Sequence, residues 1–283
     1  GPNAAESLSN LLEVVKTDQF KKFAESLVSH GFTFEYEFHA LSWLVPRKWF
    51  ETKPEWFRMN ENGERVSDFN ICPSNQEALA YLREQSAELA AQLPYNSNRY
   101  FFWLDDVRNA SCHCEHCRDL SPSDQALILH NHILEGVQKH NKEATACYLA
   151  YQDTIPVPKK IRPNPGIFLE YAPIFRNSAI PMSDSSCPEN VKEASHIDEL
   201  LQFFGKKDSQ VLEYWIDNSR FCNWTYPLKK MEINLDVIRE DVRFYMSKGF
   251  SSATSFACYL GEDYAKEFGI PPIREYAQAL KGE

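Results

Sequence analysis

The sequence predicts an α/β protein, a (β/α)₈ barrel of the TIM type. One domain spans residues 1–283, with its working residues at the C-terminal ends of the strands. Three observations lead there. Short runs rich in aromatic and β-branched residues alternate with amphipathic runs of helix length, the pattern of parallel βαβ units. Polar and aromatic side chains gather where these short runs end. Two long connections, 154–165 and 174–189, are rich in Pro, Asn and Ser, as the βα loops of a barrel's binding face often are.

Seven runs read as strands: 33–42, 69–72, 100–105, 145–152, 167–171, 210–216 and 253–259. A barrel needs an eighth. Residues 1–17 form an N-terminal segment that the pattern does not fix. Within it 11–15 is the one candidate for a first strand; otherwise that strand is missing or irregular. Between the strands, 18–30 places Phe20, Phe23, Ala24, Leu27 and Val28 on one stripe, and Gly31 follows as a stop. Ser74-Asn75-Gln76-Glu77 has the form of a capping box ahead of Ala78, Leu79, Leu82, Leu89 and Leu93. Ser123 or Asp124 is placed to cap a helix to His140, Ser195 to cap 196–204, and Asn234 to cap 235–247 with Gly249 as its stop. No glycine-rich phosphate loop supports the other α/β architecture, an open doubly wound sheet.

Composition bounds the function. The chain of 283 residues is 43% apolar, with 19 Phe, 13 Tyr and 6 Trp, enough for a large core and an aromatic-lined cleft. A net charge of −10 with no basic stripe argues against a nucleic-acid partner. No apolar run approaches the ~18 residues of a transmembrane segment. Gly1-Pro2 reads as a protease-cleavage remnant, and no signal peptide follows it.

The strand ends carry the candidate site. They include His39 with Trp43, Asp105-Asp106, Tyr151-Gln152, Glu170, and Glu213-Tyr214-Trp215. Aromatic faces stack on sugar rings, and carboxylates transfer protons and stabilise cationic transition states, so this mixture points to carbohydrate. Adjacent Asp105 and Asp106 raise one another's cost of ionisation, which suits one of them to acid work. The alternative is that these acids hold the rim through ion pairs with Arg47, Arg108 or Arg220. No cofactor is expected for catalysis. Cys112, Cys114 and Cys117 form C-x-C-x-x-C, three of the about four ligands that a structural Zn²⁺ takes. Cys72, His113 or His116 can supply the fourth. A disulfide among these cysteines, or reduced thiols, stands beside the metal reading.

Several stretches resemble the domain-of-unknown-function family numbered 4838, which has been connected with glycoside hydrolase family 163. They are Ile71-Cys72-Pro73-Ser74-Asn75, the 103–117 segment with Asp-Asp before C-x-C-x-x-C, Leu149-Ala150-Tyr151, and Glu213-Tyr214. His39-Ala40-Leu41 and Pro54-Glu55-Trp56-Phe57-Arg58 with Gly63 also fit. The likeness covers roughly residues 31–261. It implies a barrel, a secreted, periplasmic or cell-surface setting, and hydrolysis of N-acetylhexosamine-containing glycans, as by an endo-β-N-acetylglucosaminidase. By resemblance, Glu213 and one of Asp105 and Asp106 are the catalytic carboxylates, acting on an acetamido group that attacks the anomeric carbon. Family members usually carry another domain ahead of the barrel. A non-catalytic carbohydrate-binding barrel is the alternative; carboxylates turned away from the cleft favour it.

Overall fold

The computed structural model describes residues 3–282, so the Gly1-Pro2 reading lies outside the described residues. Six strands form one sheet in sequential order: β1 (Glu37–His39), β2 (Arg99–Trp103), β3 (Thr145–Tyr151), β4 (Ile167–Ala172), β5 (Gln210–Glu213) and β6 (Ser252–Ser255). The β1–β2, β2–β3, β4–β5 and β5–β6 ladders are parallel. Burial explains the continuous apolar runs: all six residues of β4 are buried, as expected of a parallel strand covered on both faces.

This corrects the expectation of a closed eight-stranded barrel. The sheet is α/β and parallel, but it has six strands, with β1 and β6 as its edges. Two expected strands are absent for identifiable reasons. Residues 11–15 belong to helix α1 (Ala4–Val15), whose buried Leu8, Leu12 and Val15 follow the helical period rather than the strand period of two. Residues 69–72 make only an isolated antiparallel bridge, Phe57↔Ile71. Pro73 follows at once, and Cys72 is drawn into the cysteine cluster described below.

The remaining helices are α2 (Asp18–Ser29), α3 (Leu41–Leu44), α4 (Gln76–Ala90), α5 (Pro122–His140), α6 (Pro188–Ala194), α7 (Ile197–Phe204), α8 (Asn218–Phe221), α9 (Leu235–Lys248), α10 (Glu262–Phe268) and α11 (Ile273–Leu280). Among the described residues none is long and apolar enough to cross a membrane. The chain divides into two compact units, Gly1–Leu149 with Pro158–Phe168, and Ala150–Val157 with Leu169–Glu283.

In the first unit α4 and α5 pack closely at Gly136, where a Cβ would come within 2.4 Å of the Arg83 carbonyl oxygen. The cap of α4 is Asn75, whose Oδ1 accepts from the Ala78 amide at 2.9 Å. Ser74 does not cap, because its hydroxyl turns to Cys72 Sγ at 3.1 Å. Glu77 turns outward to Lys53 Nζ and Trp56 Nε1.

The cap of α5 is Ser121, two residues before the first of the expected caps. Ser121 and Asp124 form a capping box around Pro122. Asp124 Oδ1 also accepts from the amides of Lys159, Lys160 and Ile161 at 2.9, 2.7 and 3.0 Å, so one carboxylate pins the β3–β4 connection to α5. Burial raises the Asp124 pKa, but the hydrogen bonds from Ser121, Lys160 and Ile161 outweigh it and hold the carboxyl below the usual aspartate value. Asp124→Ala removes the carboxylate half of the capping box, while Ser121 still caps the residue-124 amide, and it strands three amides. The expected loss is about 3–5 kcal/mol, a fall in Tm of roughly 10 °C. Because the folded pKa is depressed, this stabilisation is present above the unfolded value and is lost as pH falls through the folded one. Melting curves from pH 7 to pH 3 should show a shallower acid limb in Asp124→Asn than in wild type; parallel limbs would contradict this account.

In the second unit Ser195 ends α6, donating to the Lys192 carbonyl, and α7 starts without a side-chain cap. Helix α9 starts and stops as its residues indicate. Asn234 Oδ1 accepts from the Val237 amide, and Gly249 at φ 108° closes the C-terminus in the left-handed region.

Candidate functional site

The first unit brings Cys72, Cys112, Cys114 and Cys117 together. All four are buried, with their sulfurs within 4.8 Å of one another. Cys72 Sγ lies 3.7 Å from Cys114 Sγ, 3.9 Å from Cys117 Sγ and 3.6 Å from Cys112 Sγ. A disulfide needs about 2.05 Å, so these are unbonded thiols. Four sulfurs around a tetrahedral ion with bonds of about 2.3 Å stand about 3.8 Å apart. The cluster can therefore hold a metal ion. Cys72 is the fourth member; His113 and His116 are exposed, with His113 Nε2 3.3 Å from Glu61.

Local structure builds this cage. Cys117 and Arg118 amides turn back onto the Cys114 carbonyl. Gln125 of α5 accepts from the Cys112 amide at 2.8 Å and donates to the carbonyls of Cys112 and Cys117. The Cys72 amide donates to the Trp56 carbonyl. Cys112 Sγ itself accepts from the Met59 amide at 3.3 Å and lies 3.8 Å from Arg65 Nη1. Hydrogen bonds from Cys112 and Cys117 pull the Cys72 pKa down, whereas Cys117 is pushed up by donating to Cys112 and Cys72. The Arg65 guanidinium also hydrogen-bonds Cys72, the thiol that is lowered. Gln125 and Arg65 carry no motif and were not legible as parts of the cage.

At the ends of β1 and β2, Asp105 is paired with Arg47 and accepts from the Asn70 amide at 2.6 Å. Asp105 thus holds the rim through an ion pair. Asp106 is exposed. His39 Nδ1 meets the Leu104 carbonyl at 2.5 Å, and the ring stands edge-on to Trp103. Burial lowers the His39 pKa, so the ring is neutral at pH 7, with Nδ1 as donor and Nε2 carrying the lone pair. Trp43 is half-buried in α3.

In the second unit Glu213 is fully buried. Arg176 Nη1 bridges Glu213 Oε1 at 2.6 Å and Asp241 Oδ2 at 2.5 Å. Tyr245 donates to Glu213 Oε1, and Trp215 Nε1 to Asp241 Oδ2 at 2.9 Å. Burial raises the Glu213 pKa against the pull of Arg176. Arg176, Asp241 and Tyr245 have no sequence signature. Glu170 is also fully buried and accepts from Gln210 Nε2. Tyr151 and Gln152 are half-buried, and Gln152 takes a left-handed φ of 51°. Tyr214 and Trp215, the residues directly after β5, line a cavity of about 140 Å³ with Phe221 and Glu232. Neither cavity described in this unit is lined by Glu213.

Fold and geometry define an α/β protein with a parallel sheet, a four-thiol cage in one unit and an aromatic-walled cavity in the other. The sequence profile of the family described as Domain of unknown function (DUF4838) matches residues 14–268, and the chain belongs to that family. No curated protein matches the chain.

Proposed function

We propose that this chain is a carbohydrate-binding α/β domain whose first unit is stapled by a structural zinc ion. The observation that carries the binding reading is the end of β5. Tyr214 and Trp215 face a cavity, while Glu213 is fully buried against Arg176. Carboxylates tied into ion pairs, as Glu213 and Asp105 are, serve the scaffold, and the aromatic surface beside them suits a sugar ring. For the cage, zinc is favoured over other cations by four thiolates at tetrahedral spacing, and it would supply cross-linking, with no open position for chemistry.

A second reading follows the family resemblance, a glycoside hydrolase in which Glu213 is the acid and the substrate's acetamido group assists; it requires Glu213, which lines neither cavity, to reach the substrate. Calorimetric titration with N-acetylglucosamine oligomers, run alongside a reducing-sugar assay, separates the two. Saturable binding without released sugar is expected. Turnover that disappears in Glu213→Gln would replace the binding reading with the hydrolase.

A further inference from the structure

Helix α8 ends on Phe221, which is 44% exposed despite its size. The chain then loops out and returns through Glu232 to Asn234, the cap of α9. Phe221, Glu232 and Asn234 are shared by two cavities. One, of about 140 Å³, reaches in to Tyr214 and Trp215. The other, of about 550 Å³, opens over the start of α9 past Asp236 and Arg239. The larger is an open hollow at the surface, not an enclosed cleft. It lies beyond the carboxyl end of β5, where ligands of parallel α/β sheets collect.

We propose that this shared wall is a saccharide subsite selective for uncharged sugars, with Phe221 as the stacking platform and Glu232 as the acceptor for ring hydroxyls. The inference rests on the carbohydrate-binding reading and names residues that reading does not need. Three features choose the ligand. A single exposed ring beside polar groups matches a pyranose, which has one apolar face and a hydroxylated rim. Arg239 Nη1 sits 3.1 Å from Asp236 Oδ1, so the lining cation is already matched and the Glu232 carboxylate leaves the wall net negative. The start of α9 does not call for an anion either: Asn234 occupies the Val237 amide, and Asp236 already complements the helix dipole. Uronic and other acidic sugars are therefore repelled.

The test titrates the full chain with chitotriose, which is neutral, and trigalacturonate, which is anionic. Wild type is expected to bind chitotriose and not trigalacturonate. Phe221→Ala should weaken chitotriose about 10-fold, equivalent to about 1.4 kcal/mol, with Phe221→Trp restoring it. Glu232→Gln should admit trigalacturonate. Both side chains are exposed, so melting curves should match wild type and confirm that the variants are folded. Equal chitotriose affinity in wild type and Phe221→Ala would overturn the subsite while leaving carbohydrate binding intact. Binding of neither saccharide by wild type would remove the carbohydrate reading and the subsite with it. Tighter binding of glucosamine than of N-acetylglucosamine at pH 6 would make the wall a cation site and likewise overturn the proposal.

Discussion

Protein purified without chelator should carry one equivalent of zinc per chain, and Cys117→Ser should lose it. A closed four-thiolate site contributes folding free energy directly, with apparent values of about 10–16 kcal/mol in small zinc peptides. In a chain with its own apolar core, part of that is replaced by packing. Loss of several kcal/mol is still expected, a fall in Tm of at least roughly 10 °C. The cage joins Cys72 to Cys112–Cys117 across β2, so metal loss should loosen the 56–75 and 110–121 segments first. Metal analysis by mass spectrometry and melting with and without chelator check this. Less than about half an equivalent of zinc, with an unchanged Tm in chelator, would leave the cysteines as a packed thiol cluster.

Arg176→Met should be the most damaging change in the second unit. It leaves Glu213 and Asp241 buried without their cation. Breaking a buried pair from one side costs about 3–5 kcal/mol, roughly 10 °C in Tm. The pH dependence has a definite sign. Burial already holds the Glu213 pKa above its unfolded value, and loss of Arg176 moves it further up. The variant should therefore regain stability as pH falls from 8 toward 5, because its folded state binds the proton more tightly than its unfolded state. Glu213→Gln behaves differently. It leaves one cation facing one carboxylate and keeps an oxygen to accept from Arg176 and Tyr245, losing only the long bond from the Tyr214 amide, so its Tm should fall far less than that of Arg176→Met. That makes it a clean probe of turnover. An Arg176→Met variant melting like wild type at pH 7 would show that the triad does not bear on stability.

Much of the sheet was legible because parallel strands, buried on both faces, write continuous apolar runs into the sequence. Residues 145–152 and 167–171 locate β3 and β4 almost to the residue. The number of strands was not legible. An apolar run such as 11–15 fits a buried strand as well as one face of a helix, and only the partners of Leu8 and Leu12 decide between them. Caps failed where tertiary contacts competed: Ser74 serves the cysteine cluster instead of α4. The cage was readable as three ligands by spacing, with Cys72 among the candidates for the fourth, because metal-like clusters concentrate in short loops. The carboxylates were readable as strand-end residues, and Arg47 was among the three arginines named as partners for them. Arg176 was not readable, because it comes from another part of the chain and carries no local pattern. Phe221 and Glu232 carry no local pattern either: a wall made by a helix end and a returning loop exists only in three dimensions.

The sequential order of the strands has a consequence for how such a protein changes over evolutionary time. Each new βα unit lays down beside the last one, so both outer strands are growth points, and the interior ladders need no rewiring when a unit is gained or lost. β1, with three residues, and β6, with four, are short borders of the kind that limit unwanted pairing between molecules. Lengthening either border and appending one more helix–strand module would widen the sheet without touching the residues of the cysteine cage or the Phe221 wall. Architecture at the margins can thus drift in size while the two chemical sites, each contained within its own unit, stay as they are.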